Sequence, residues 1–273
     1  MLRTFNFCIS LFSVFLYVNK YKDITRFNWL NLIVLFAIFL VIYLIIEFGF
    51  AFIMSLFVDK KKSVKKPNKF FVYLFIIFNE FICSKARIKV KVKNKEKLDK
   101  TKKYIIVCNH RSKFDPMIIA NEFKEMPIAF ISKPENLNIP LAGNIVYECG
   151  YKGIDRNNDR KALVTIKEVS EIINNNHISY GVFPEGTRNK SNAQLLDFKN
   201  GCLKLSQKTG CPILVLTLKN TEKIAKNFPF KSTSITLDIV DVIDSSIFNE
   251  KNTIEVGNII KEKMLNSLEN ENT

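Results

Sequence analysis

The chain has 273 residues, 47% of them hydrophobic and 25% charged, which excludes wholesale disorder and suffices for one sizeable domain plus an appendage. Its 41 basic against 26 acidic residues give +15 at pH 7, a charge that suits a membrane surface, a nucleic acid or a phosphorylated substrate, although much of it is lysine in a Lys/Asn/Ile/Phe-rich sequence. Two histidines leave no multi-histidine metal site, and six scattered cysteines without a Cys-x-x-Cys pair read as reduced cytosolic thiols rather than a secreted disulfide framework.

In chain order, Phe5 to Val18 is apolar but short. It reads as a re-entrant segment or a first short span. No small-x-small signal follows it, which argues against a cleaved leader. Trp29 to Val58 is apolar apart from Asn31, Glu47, Gly49 and Ser55, and a bilayer span needs only about 20 such residues. Six lysines in the run from Asp59 to Lys69 outweigh Lys20, Lys22 and Arg26 on the other side, so the positive-inside bias places the C-terminal side in the cytoplasm. Phe70 to Cys83 is too short to span comfortably and carries Asn79-Glu80; it reads either as a helix lying in the membrane interface or as a core helix of the following domain. These features predict a membrane-associated segment over 1–84 and a cytoplasmic domain over 85–273.

From Lys85 the texture changes. Arg87 to Lys93 alternates basic and apolar residues, the period of a half-exposed strand. Tyr104 to Cys108, Ile128 to Ile131, Ile178 to Phe183, Pro212 to Leu218 and Ser234 to Ile243 read as further strands. Helical patterns fall over Pro116 to Phe123, over Arg160 to Asn174 with Leu163, Ile166, Val169 and Ile173 on one face, near Phe198 to Gln207, and over Ile254 to Leu268. Strands alternating with helices predict an α/β fold with a largely parallel central sheet flanked by helices.

Two strand exits carry the chemistry. After Tyr104 to Cys108 comes Asn109-His110-Arg111-Ser112-Lys113-Phe114-Asp115-Pro116. Asp115 before Pro116 predicts a helix N-cap. His110 lies just beyond the carboxyl end of a strand, where α/β proteins build sites. A tight loop between them brings a carboxylate to one imidazole nitrogen, which fixes the tautomer and makes the other nitrogen a better base. His177, among asparagines, reads as a polar turn. The second exit is Phe183-Pro184-Glu185-Gly186-Thr187-Arg188. There Gly186 permits close backbone approach, and Arg188 offers a planar fork for phosphate. Arginine is scarce, 7 residues against 34 lysines, which singles out Arg188 and Arg156 in Gly153-Ile154-Asp155-Arg156.

These stretches together resemble the 1-acylglycerol-3-phosphate acyltransferase family of glycerolipid acyltransferases. Asn109-His110-x4-Asp115 is similar to its first motif and Gly153-Ile154-Asp155-Arg156 to its second. Phe183-Pro184-Glu185-Gly186-Thr187-Arg188 is similar to the third in full, and Phe198-Lys199-Asn200-Gly201 with Cys211-Pro212-Ile213-Leu214-Val215 resembles the downstream block, with Leu214 where a second proline is usual. The resemblance covers about Phe70 to Leu218. It implies transfer of a fatty acyl group from acyl-CoA or acyl-carrier protein to the sn-2 hydroxyl of lysophosphatidate, making phosphatidate in phospholipid biosynthesis. His110 is then the general base and Asp115 its partner, Arg188 and Arg156 bind the acceptor's phosphate, Glu185 orders its loop, and Gly186 and Thr187 support the loop, with backbone amides near Gly186 as the oxyanion site. No metal or redox cofactor is implied. The enzyme would sit at the cell membrane with its catalytic domain on the cytoplasmic face. Two alternatives stay open: another acceptor, such as glycerol 3-phosphate or a different lysophospholipid, and a membrane-anchored phosphate- or lipid-binding protein without catalysis. The lysines form no recognisable nucleic-acid module.

Overall fold

The computed structural model describes residues 2–21, 29–155 and 158–269, and its contacts divide the chain into two compact units, Met1–Asp59 and Lys60–Thr273. The first unit contains α1 (Leu2–Tyr21) and α2 (Trp29–Leu56). At 1.5 Å per residue α2 is about 42 Å long, more than the roughly 30 Å of bilayer hydrocarbon, and it is long and apolar enough to cross a membrane. The expected short apolar stretch from Phe5 to Val18 lies inside the longer α1. The two helices are joined where their few polar groups meet: Asn6 Nδ2 donates to Glu47 Oε2 at 3.0 Å, and the Ser13 and Tyr43 hydroxyls lie 2.8 Å apart.

The second unit opens with α3 (Lys69–Lys85), capped by the Asn68 side chain, which accepts the Phe70 N–H. One face of α3 packs within this unit: Phe71, Leu74 and Cys83 are buried, and Asn79 Nδ2 donates to the Met117 carbonyl at 2.7 Å. Tyr73 and Ile82 point outward, 54% and 41% exposed.

Seven strands form one sheet: β1 (Ile88–Lys93), β2 (Ile105–Cys108), β3 (Ile128–Ser132), β4 (Lys152–Gly153), β5 (Ser179–Val182), β6 (Ile213–Lys219) and β7 (Thr233–Ile243). Their order is β1-β7-β6-β2-β5-β3-β4. The five strands from β6 to β4 are mutually parallel, while β7 runs antiparallel to β6 and carries β1 parallel to itself. The sheet is therefore largely parallel, as the alternating pattern predicts. Every residue of β2 and β5 is buried, as befits strands covered by helices on both faces. The alternating Lys89 and Lys91 fall on edge strand β1, where charge discourages edge-to-edge pairing.

Around the sheet lie α4 (Asp115–Glu122), α5 (Ala142–Glu148), α6 (Asp159–Asn175), α7 (Lys204–Thr209), α8 (Ile224–Asn227) and α9 (Thr253–Glu269). In α6 the buried face is Ile166, Val169, Ile172 and Ile173, while Leu163 stays 47% exposed; the stripe expected from the sequence is rotated by part of a turn. In α9, Gly257 admits the Asn200 side chain, whose Oδ1 would lie 2.0 Å from any Cβ there. The parallel pairing sends the chain out of β2, β5, β3, β4 and β6 along one edge of the sheet, and the motif residues gather on that edge.

Candidate active site

His110 leaves the carboxyl end of β2, and its position is set by its neighbours' backbone bonds. The buried Asn109 donates from Nδ2 to the Leu218 carbonyl at 2.9 Å and accepts the Leu218 N–H on Oδ1 at 2.7 Å, extending the β2–β6 ladder by one side chain. Asp115, fully buried, directs Oδ2 at three donors: the Arg111 and Ser112 amides at 2.7 Å each and His110 Nδ1 at 2.8 Å. The N-cap expected at Asp115 is therefore corrected. Phe114 occupies that position without a side-chain cap, and Asp115 opens the first turn of α4 with its carboxylate turned back onto the loop. With Nδ1–H facing a carboxylate, Nε2 carries the lone pair. The imidazole, 16% exposed, stacks on Phe183 with centroids 4.1 Å apart and planes 18° from parallel. Phe183 in turn stacks on Phe130 at 5.7 Å. Gly181 makes room for that stack, because a Cβ there would lie 2.2 Å from the Phe130 ring.

The second loop leaves β5, the parallel neighbour of β2, so the two exits are adjacent strands at about 4.8 Å spacing. Glu185 is 3% exposed and accepts two backbone amides, His110 N–H at 2.7 Å and Leu196 N–H at 2.9 Å. Burial pushes its carboxyl above the ordinary value of 4.5, against the lowering effect of those two bonds and of the His110 and Arg111 charges. It orders the loop through these amides. The Asn189 N–H closes the junction on the His110 carbonyl at 2.6 Å. Gly186 sits at φ +69°, the left-handed region that favours glycine, and its N–H is already bonded to the Phe183 carbonyl at 3.0 Å. That bond removes the Gly186 amide from the expected oxyanion site. The Thr187 and Arg188 amides make no backbone hydrogen bond among the described residues.

Thr187 and Arg188 are exposed on this loop, and Arg188 directly precedes the residue bonded to the His110 backbone. Arg156 lies outside the described residues. Its neighbour Asp155 follows β4, three strands from β2 along the same sheet edge. Cys108 ends β2 beside the dyad. Burial, then the Asp115 and Glu185 charges, hold its thiol well above its ordinary value, so it stays protonated and is no nucleophile. Arg111 and Asn189 are organising residues that sequence reasoning passed over. The Arg111 guanidinium donates to the Ser191 and Ala193 carbonyls at 3.3 and 3.2 Å and approaches Glu222 at 3.5 Å. Asn189 takes the Ser191 amide and hydroxyl on Oδ1 and donates to the Ala193 carbonyl. The scarcity of arginine was a usable signal for Arg111. Asn189 had none.

The acyltransferase family profile matches residues 89–219. A 1-acyl-sn-glycerol-3-phosphate acyltransferase of Borreliella burgdorferi is 31% identical over 186 residues, covering 67% of this chain and 73% of that protein. The protein of the same name from Escherichia coli is 29% identical over 153 residues, 56% of this chain and 62% of that one. The crystal structure of the 1-acyl-sn-glycerophosphate acyltransferase PlsC from Thermotoga maritima superposes with a TM-score of 0.64 over 99% of this chain and 97% of that one at 21% identity, a likeness of fold.

Proposed function

The chain belongs to the 1-acyl-sn-glycerol-3-phosphate acyltransferase family, and we propose that it moves a fatty acyl group from a thioester to the sn-2 hydroxyl of 1-acylglycerol 3-phosphate, giving phosphatidate. The observation that carries this reading is the 2.8 Å contact of His110 Nδ1 with buried Asp115 at the carboxyl end of β2. His110 Nε2 takes the proton of the acceptor hydroxyl as that oxygen attacks the thioester carbonyl. A C–O bond forms, the C–S bond breaks, and the proton passes to the departing thiolate. The Asp115 carboxylate stabilises the imidazolium that exists between these events. General base catalysis supplies about 10²–10⁴-fold, so positioning and oxyanion stabilisation supply the rest, with the Thr187 and Arg188 amides as the donors. Arg188, assisted by Arg156, binds the acceptor's phosphate through its planar fork.

The donor is acyl-CoA or acyl-carrier protein, and the reaction is redox-neutral, calling for no metal or redox cofactor. We place α2 across the membrane, α3 at its interface, and the second unit on the cytoplasmic side, the side of Lys60, Lys61, Lys62, Lys65 and Lys66. The acceptor then arrives by lateral diffusion and the donor from solution. The test is His110→Ala assayed with labelled donor against lysophosphatidate, glycerol 3-phosphate and other lysophospholipids. We expect turnover to fall by about 10²–10⁴-fold with folding and membrane attachment kept. Substantial remaining turnover removes the base assignment, and a preference of the wild type for another acceptor replaces the substrate.

A further inference from the structure

The segment that follows β6 lies beside the catalytic loop and ends in two exposed aromatics. Leu218 is held by Asn109, and Glu222 lies 3.5 Å from Arg111. Thr221 and Ile224 are fully buried, rooting the segment in the domain. From there the chain runs Lys223-Ile-Ala-Lys226-Asn-Phe228-Pro-Phe230-Lys231, nine residues with three lysines and no acid. Phe228 is 52% exposed and Phe230 84%, the most exposed large hydrophobic side chain among the described residues of the second unit. The tip is braced rather than loose. Arg87 donates to the Phe230 carbonyl at 2.8 Å, the Lys231 N–H bonds to the Asn227 carbonyl at 2.8 Å, and Asn227 Nδ2 donates to Thr233 Oγ1 at 2.9 Å. Because β7 begins where β6 ends, this tip projects from the same sheet edge as His110 and Arg188.

We infer that the tip from Phe228 to Lys231 is a lipid-inserting wedge, by which the second unit seats its catalytic edge on an anionic leaflet independently of α2. Aromatic side chains framed by lysines are the composition favoured at the headgroup level of a bilayer. A held, solvent-facing aromatic pair costs hydration that insertion recovers. Each lysine near an anionic surface adds roughly fivefold in binding, an effect that salt screens. The purpose assigned to the wedge rests on the acyl-transfer reading: a base that must meet a lipid hydroxyl works only if its edge of the domain is held at the depth of that hydroxyl. A protein partner, including a carrier protein or a second copy, fits the tip less well, because an acidic protein surface would answer the lysines and leave Phe230 in water.

The full chain tests this with Trp29→Phe combined with Phe230→Trp, which places the single tryptophan at the tip. In vesicles of phosphatidylglycerol and phosphatidylcholine we expect blue-shifted emission that bromine on the acyl chains quenches. Emission that stays at its aqueous wavelength without quenching overturns the wedge, as does a shift that appears only on adding carrier protein or on raising protein concentration. In parallel, Phe228→Ala with Phe230→Ala should lower kcat/KM by roughly tenfold for lysophosphatidate embedded in vesicles, about the partition gain of one buried aromatic, and leave a short-chain, monomerically soluble acceptor unaffected. Equal losses on both acceptors, or none on either, overturn it. The fluorescence needs no turnover, so it decides the wedge even if lysophosphatidate proves not to be the acceptor.

Discussion

Replacing Asp115 by Asn separates the two duties of its carboxylate. All three of its donors converge on Oδ2, while Oδ1 is buried with no partner among the described residues. An asparagine whose carbonyl oxygen occupies the Oδ2 place can still accept the Arg111 and Ser112 amides and the His110 Nδ1–H, and its NH₂ falls where Oδ1 was unpartnered. The loop should therefore keep its shape. The losses are charge assistance, about 1 kcal/mol for each of three bonds from the difference between charged and neutral acceptors, and the cost of an unpaired buried donor, about 1–3 kcal/mol, so about 4–6 kcal/mol of stability goes. Catalysis suffers separately, because a neutral amide cannot stabilise the imidazolium formed when the hydroxyl proton arrives. We expect kcat to fall by about 10²–10⁴-fold, with apparent affinity for lysophosphatidate little changed. The assay is single-turnover acyl transfer at a temperature where circular dichroism shows the variant folded, with Asp115→Ala as the comparison that removes the loop bonds too. Turnover within threefold of wild type in folded Asp115→Asn would refute the imidazole–carboxylate pair as the proton acceptor.

Arg188→Ala should raise the apparent KM for lysophosphatidate by about 10–100-fold, the size of a charge-assisted phosphate contact, with kcat reduced far less; an unchanged KM removes the phosphate role. Gly181→Ala should cost about 1–3 kcal/mol in thermal unfolding and slow turnover as well, because the Phe130 ring that its Cβ would strike at 2.2 Å supports Phe183 and so the imidazole; a stability loss with full activity breaks that chain of contacts. The pH dependence follows from Glu185, whose carboxyl is raised by burial. The folded protein holds this proton more tightly than the unfolded chain, so the ionised group's penalty is absent below about pH 4 and grows as pH rises through its raised value. Thermal unfolding of wild type against Glu185→Gln from pH 4 to 7 should show the wild type's advantage shrinking toward neutrality, and a widening gap would contradict the burial argument.

The centre of the sheet was legible because its strands carry continuous apolar runs: Ile105 to Cys108 and Ile213 to Leu216 have no other use for such composition. The dyad was legible too, since a histidine and an aspartate five apart at a strand exit have few ways to avoid one another. What stayed hidden depended on contacts distant in sequence. Strand β4 is two residues long, too short for any period. Helix α5 contains Gly143, a poor helix former by propensity. That glycine is placed there because the Leu137 carbonyl would sit 2.4 Å from any Cβ, a fact no local pattern carries. Which amides near Gly186 are engaged was hidden for a related reason: the turn that gives Gly186 its positive φ also bonds its own N–H to the Phe183 carbonyl.

One feature of the site bears on how it tolerates change. Three buried side chains, Asn109, Asp115 and Glu185, fix the imidazole chiefly by bonding to main-chain groups, of Leu218, of Arg111 and Ser112 in the same loop, and of His110 with Leu196. Backbone partners cannot be mutated away, so substitutions elsewhere in these loops leave the base where it is. Arg188, by contrast, is exposed, and among the described residues it is held only through the chain that carries it. The geometry around the imidazole is thus rigid, while Arg188, the proposed phosphate-binding group, is free to vary. Exchange of Arg188 or its exposed neighbours should consequently shift which phosphorylated acceptor is used before it affects the chemical step. The reverse order, with turnover lost and acceptor preference kept, would mean that the Glu185–Arg188 loop positions the base rather than the substrate.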